Sequence, residues 1–205
     1  MNDDIRYGIF MRPDPETCWN VTQVTFAVKQ QFGLISAGAF PPHATLVGNL
    51  ATDASASEII TRLDPVFDTV RPYVVYNPGT SRAGKGTLQY DINWDSSGKS
   101  INVPLNKVAQ DVKAAVLPLA HHVEDFLVVP VRDYHFSGHL GLASHDLIVD
   151  DRASQEVGEF ISGLPLTPPA EFVARWYSLF EFRSDWTGHW WKTMTWRHLH
   201  SWEAR

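Results

Sequence analysis

Phe40-Pro41-Pro42-His43-Ala44-Thr45-Leu46 and Tyr134-His135-Phe136-Ser137-Gly138-His139-Leu140-Gly141-Leu142 are the two histidine-bearing stretches around which the chain is organised. In a strand, side chains at i and i+2 share a face, roughly 6–7 Å apart. His43 and Thr45 are therefore expected to project together, one able to move a proton and one able to hydrogen-bond an oxygen anion. In the second stretch His135, Ser137, His139 and Gly141 have one parity and are expected on one face. Two such strands across a cleft would set imidazoles on opposite sides of a small polar substrate.

The elements around the two stretches come in a similar order. Tyr7 to Met11 reads as a strand, and Val21, Val24, Val28 and Phe32 form a helical stripe that Gly33 can end. After His43, the capping-box pattern Ser55-Ala56-Ser57-Glu58 opens a helix with Ile59, Leu63 and Phe67 on one side. Pro65 is expected to kink or shorten that helix. Tyr73 to Tyr76 follows as a strand, and Gly79 to Gly86 reads as a boundary or mobile loop.

Beyond it Leu88, Tyr90, Ile92 and Trp94 alternate as in a strand, and Asn102 with Pro104 starts a helix bearing Val108, Val112, Val116 and Leu119. The second histidine stretch comes next. Asp150-Asp151 then reads as the cap of a helix bearing Val157, Phe160, Ile161 and Leu164. Phe172 to Phe182 reads as one long strand, paired through Ser184 to Gly188 with a last strand over Trp190 to Trp202. The order predicts an α+β, bilobal protein with two similar, mostly antiparallel sheets, helices packed outside and a central cleft. One lobe is expected over about 1–78 and the other over about 87–205, with the chain free to cross between them.

The totals bound the partners. The chain has 205 residues, 44% of them apolar and 12% aromatic, enough for a sizeable core. Its 17 basic against 23 acidic residues give a formal charge of −6, a poor balance for gripping long nucleic acid. Cys18 is the one cysteine, so no intrachain disulfide forms, which suits a reducing cytoplasm. The acidic start Met1-Asn2-Asp3-Asp4 does not read as a secretory signal, and no apolar run approaches the ~20 residues of a membrane span. The expectation is a cytoplasmic monomer.

His43-Ala44-Thr45-Leu46, echoed in a second half of similar order, resembles the 2H phosphoesterase superfamily, whose mark is two H-x-T/S motifs, one per lobe, each followed by an apolar residue. The resemblance implies a bilobal fold and a phosphodiesterase that works with two histidines and no metal or cofactor. Two alignments of the second motif compete. His135-Phe136-Ser137 has the H-x-S letters but is followed by Gly138. His139-Leu140-Gly141-Leu142 has the better flanks but carries Gly141 in place of the hydroxyl residue, which Ser137 could supply from the other side. The flanks favour His139.

The implied reaction is hydrolysis of a small cyclic phosphodiester such as a 2′,3′-cyclic nucleotide. One neutral imidazole takes a proton from water, and the other gives one to the departing oxygen. Thr45, with Ser137 or backbone amides, would hold the non-bridging oxygens. Tyr7, Tyr73, Tyr90 or a Trp could stack a nucleobase, and His135 remains a substrate-binding candidate. Alternatives are an enzyme acting on RNA ends or 2′,5′ linkages, and a nucleotide sensor that binds without turnover because of Gly141.

A lone His-x-Thr in a strand is more often a satisfied structural histidine. His121-His122 reads as a helix end, His145 as loop or surface, and the tryptophans of the tail as sheet packing. His198-Leu199-His200 has metal-ligand spacing but no matching Cys/His pair, so no zinc site is expected there. Lys85, in a glycine-rich loop without the phosphate-loop pattern, reads as linker.

Overall fold

In the computed structural model, which describes residues 4–84 and 86–205, the central strand is the first one. The apolar run of β1 (Ile5–Arg12) is buried along most of its length. It pairs antiparallel with β2 (Ala44–Leu50) on one side and β8 (Trp176–Arg183) on the other, and β9 (Thr195–Glu203) completes a four-stranded sheet in the order β2-β1-β8-β9. A second sheet has three antiparallel strands, β4 (Thr80–Ala83), β5 (Thr87–Asp91) and β6 (His139–Ala143). β3 (Tyr73–Tyr76) and β7 (Glu171–Ala174) form a separate antiparallel pair.

The helices exchange places between the halves. α1 (Pro15–Phe32), from the first half, packs on β6, whereas α3 (Val103–Val116), from the second, packs on β2 and on α2 (Ala56–Phe67). The result is the expected α+β architecture of two open antiparallel sheets, with the chain crossing between them. No helix among the described residues is long and apolar enough to cross a membrane.

Local chemistry explains most boundaries. The Asp14 carboxylate accepts from Thr17 N at the start of α1, and Gly33 closes the helix at φ +72° with its N–H on Lys29 O. The capping box at Ser55 and Glu58 forms as expected, with both reciprocal bonds present. Asn102 Oδ1 accepts from Leu105 N and starts α3. α2 runs through Pro65 to Phe67, giving up the one bond that an N–H at residue 65 would make to Thr61 O.

Four expectations are corrected. Thr80–Ala83 is a strand rather than a linker, because Thr87–Asp91 offers it a partner and Gly84 and Gly86 take the positive φ values (+53° and +99°) that bring the chain back; Lys85 lies outside the described residues. Phe172 to Phe182 is two strands that part at Arg175, one pairing β3 and the other β1. Asp150-Asp151 does not cap a helix: a short α4 (His145–Val149) precedes them, and α5 (Ser154–Gly163) follows without a side-chain cap, Asp150 being engaged by Arg152. His121 sits beyond the helical turns that follow α3 and meets Asp53 at 3.0 Å.

One large apolar core holds both sheets and the helices together, with Ile9, Met11, Leu46, Ile59, Leu105, Leu140 and Tyr177 fully buried in it. A second cluster is almost wholly aromatic: Phe10, Phe180, Phe182, Trp186, Trp190 and Trp191. It lies on the opposite face of β1, since Phe10 alternates with Ile9 and Met11. Leu46→Ala is expected to lower the unfolding free energy by about 2–5 kcal/mol, against about 1 kcal/mol for Ser55→Ala, as read by urea denaturation.

Candidate functional site

A cavity of about 660 Å³ opens above the aromatic cluster, between β2 and β6. His43, Thr45, Ser137, His139 and Gly141 all line it, so both histidine stretches converge on one space. β2 begins at Ala44 and β6 at His139, which puts each histidine at the entry of its strand.

The two imidazoles are held alike. His43 Nδ1 lies 2.8 Å from Pro41 O, and His139 Nδ1 lies 2.8 Å from Ser137 O, in each case the carbonyl two residues earlier. A carbonyl oxygen only accepts, so both Nδ1 atoms carry hydrogen and both Nε2 atoms are left for chemistry. His139 thus repeats the bond of His43. His135 is exposed and does not line the cavity, because residues 134–138 are not in the strand and the two-residue alternation does not reach back to it. Tyr7 is buried in the main core and does not line it either.

The surroundings of His43 are apolar. Its ring stacks on Phe40 (centroids 4.0 Å apart, 24° between planes) and meets Phe10 edge-on at 4.7 Å. Phe10 reaches this place because Gly8, two residues back on the same face, has no side chain; a Cβ there would stand 2.2 Å from the Phe10 ring. Loss of water around the ring is the main force that drives the His43 pKa down from 6.5 to about 4; the Pro41 bond opposes it and the charge of His139 adds to it. The ring of His43 is therefore neutral at pH 7.

Several residues escaped the sequence reading. His145, read as loop or surface, is half-buried and lines the cavity, with its Nδ1 3.4 Å from Ser144 Oγ and the Leu127 backbone acting on its charge. Burial lowers its pKa, partly offset by the Leu127 backbone and by Asp146. Tyr134 donates its hydroxyl to Thr45 O at 3.0 Å and so ties the second stretch to the first. The Asp146 carboxylate accepts from Ile35 N (2.8 Å), Ser36 N (2.7 Å) and Trp191 Nε1 (2.8 Å). The one local signal for Asp146 is its place in the first turn of a helix, where acidic residues are favoured; its partners are 45 to 111 residues away.

A loop over residues 125–130 walls one side. Asp125 anchors it, taking two bonds from Arg6 (Nε 2.8 Å, an Nη 2.9 Å) and one from Asn49 Nδ2 (2.7 Å), while Phe126 N donates to Trp186 O. Leu127 is held at φ +57° within it. At Gly141 a Cβ would meet only Ala37 Cβ at 3.8 Å, so the position that lacks a hydroxyl is open space. Among the described residues no group of three His, Cys, Asp or Glu side chains is placed to hold a metal ion; His198 Nε2 instead meets Ser201 Oγ at 2.8 Å.

No family model matches the chain, and no curated protein matches it in sequence. Solved structures do match in fold. TT0787 of Thermus thermophilus superposes with a TM-score of 0.60 at 14% identity, over 98% of both chains. A protein solved as a phosphoesterase gives 0.54 at 10% identity, over 97% of this chain and 98% of its own. E. coli LigT, solved with 3′-AMP, gives 0.52 at 13% identity over 98% of both chains. The fold is that of the 2H phosphoesterases. Within that fold the two histidine stretches lie one on each side of the cleft.

Two measurements check this geometry. Asp146→Ala removes three bonds to a charged acceptor and is expected to cost about 2–4 kcal/mol of stability, read by denaturation. In NMR titration, His43 should keep a neutral, Nδ1-protonated ring down to about pH 4. The folded state then binds fewer protons than the unfolded chain between pH 6.5 and 4, so this group makes stability fall as pH drops through that window. Titration of His43 above pH 6 would contradict the burial argument.

Proposed function

We propose that the chain is a phosphodiesterase that hydrolyses a small cyclic phosphodiester, such as a 2′,3′-cyclic nucleotide, with His43 and His139 as general base and general acid. The observation that carries the reading is the matched pair of Nδ1–H···O=C bonds, which turns two Nε2 atoms toward chemistry on one cavity. The fold, shared with a phosphoesterase and with LigT, supports it. So does the crystallisation of LigT with 3′-AMP, a nucleotide carrying the kind of monoester such a reaction yields.

His43, neutral in the free protein, takes a proton from water through Nε2 as the water oxygen attacks phosphorus. The bond from phosphorus to one ribose oxygen breaks, and His139 Nε2–H gives that oxygen its proton. The product is a phosphomonoester, and the two rings have exchanged protonation states. The Thr45 and Ser137 hydroxyls hydrogen-bond the non-bridging oxygens, whose charge grows in the transition state. A base with a pKa near 4 is weak, but the bound anion favours the imidazolium form and so strengthens it. No divalent ion takes part in this scheme.

The test is a panel of 2′,3′-cyclic and 3′,5′-cyclic mononucleotides and 2′,5′-linked dinucleotides, assayed with and without a chelator. Cleavage of the 2′,3′-cyclic substrates, unaffected by chelation, is the expected result. Preference for the 2′,5′ linkage would favour action on RNA ends, and binding without product would leave a sensor. His43→Ala and His139→Ala should each lower kcat by about 10²–10⁴-fold, and Thr45→Ala by about 10²–10³-fold. Retained activity in His139→Ala with loss in His135→Ala would reverse the assignment of the second histidine. In kcat/KM, activity should fall as pH drops through about 4, where free His43 gains its proton. The acid limb of kcat should lie higher, because the bound anion raises the His43 pKa.

A further inference from the structure

The face of β1 that turns Phe10 toward the cavity continues, two residues on, to Arg12. In register Arg12 stands opposite Trp176, Phe10 opposite Ser178, and Ser178 opposite Ser201 of β9. Three groups meet at the Ser201 hydroxyl: His198 Nε2 at 2.8 Å, Ser178 Oγ at 3.3 Å and an Nη of Arg12 at 3.4 Å. The guanidinium rests on the Trp176 ring, 5.7 Å from its centroid. Carboxylates nearby in chain and in register serve other groups. Asp14 accepts from Thr17 N, and Glu203, opposite Trp176, is held by Arg175 at 2.7 Å and 2.8 Å. The cluster also lies beside the reactive histidine. Phe10 meets His43 at 4.7 Å and Phe180 at 5.9 Å, and Phe180 meets His198 at 5.2 Å, so two rings separate the two imidazoles. Arg12 and Ser201 are half-buried and His198 is exposed, which leaves the cluster open to solvent.

We infer that Arg12, Ser201 and His198 form a second anion subsite, outside the reactive cavity on the same face of the sheet, which takes a phosphate group. A guanidinium offers its N–H groups in a fork that fits phosphate oxygens. Its contact with the neutral Ser201 hydroxyl is at the long limit of a hydrogen bond, whereas a charge-assisted bond to phosphate shortens to about 2.7–2.9 Å. The Ser201 hydroxyl, set in place by the buried Ser178, donates a second bond. Loss of water lowers the His198 pKa, the Arg12 charge lowers it further, and the His200 backbone opposes. An anion between Arg12 and His198 reverses the effect of that charge and favours the imidazolium, a third donor. The subsite does not depend on the proposed reaction. The phosphate comes either with a substrate that extends past the reacting diester or as free inorganic phosphate.

The experiment follows the His198 ring by NMR near pH 7, at constant ionic strength, while inorganic phosphate is added to the native protein, to Arg12→Gln and to Ser201→Ala. In the native protein the resonance is expected to move toward the imidazolium position, and Kd should rise at least about tenfold in Arg12→Gln. Ser201→Ala, the milder change, should weaken binding in the same direction and decides the matter if Arg12→Gln does not fold. Values of kcat/KM for adenosine 2′,3′-cyclic phosphate, with and without a 5′-phosphate, then separate the two sources. A loss in the variants confined to the 5′-phosphorylated compound assigns the phosphate to the substrate; an equal effect on both, or none, assigns it to free phosphate. Absence of turnover in the native protein, with phosphate still bound at His198, would overturn the phosphodiesterase reading and uphold the subsite. An unmoved His198 resonance, or one Kd shared by the native protein and both variants, would overturn the subsite and leave the phosphodiesterase reading standing.

Discussion

The two halves of the site share one apolar core, and at the cleft a carboxylate ties them together. Asp146 sits in the helix that follows the His139 strand, yet its oxygens accept from Ile35 and Ser36, in the turn that leads to His43, and from Trp191 near the last strand. Ser36 Oγ returns the contact through Asp146 N and Ser144 Oγ. Bonds to an ionised acceptor are the stronger kind, and here three of them join segments that have no sheet in common. The open edges of the two sheets face each other at β2 and β6, with no ladder between them. Their spacing therefore depends on such side-chain ties: Asp146 at one place and the Tyr134 hydroxyl on Thr45 O at another.

Given that spacing, the orientation of each imidazole is a local matter. The carbonyl two residues before the ring fixes Nδ1 as the donor, and the same bond occurs in both stretches although their sequences differ, Pro41 in one and Ser137 in the other. What differs is the surroundings. His43 is packed by Phe10 and Phe40 and loses its water, so its charged form is disfavoured. A pair of like groups with unlike environments is the condition under which one serves as acid and the other as base.

What was legible in the sequence was what is local. The parity of His43 and Thr45, the caps at Ser55 and Asn102 and the Gly33 stop depend on neighbours within a few residues, and they stand as read. The grouping of His135 with His139 failed because alternation holds only inside a strand, and β6 begins at His139. The division at Arg175 was not read because the run from Phe172 to Phe182 is rich in strand-forming apolar residues on both sides of it; the choice of partner strand separates the two pieces. Thr80–Ala83 lies in a glycine-rich stretch of weak strand character and is made a strand by Thr87–Asp91. His145 and Asp146 were passed over for a like reason: each acquires its role from groups far away in the chain, at Leu127 for one and Ser36 for the other.

The asymmetry of the two motifs then has a physical reading. On the β2 side a hydroxyl, Thr45, stands beside the histidine; on the β6 side Gly141 leaves room that only Ala37 borders. A missing side chain removes one polar contact but widens the cleft where a second hydroxyl would stand. The hydrogen-bonded pair Ser36 and Ser144, 3.2 Å apart, lines the same cavity, so hydroxyl groups are not lost from that side but set further back. A site of this shape trades one close contact for volume. The loop at Leu127 to Val129 lines that volume with apolar side chains, whose exposed surface gains from contact with apolar groups.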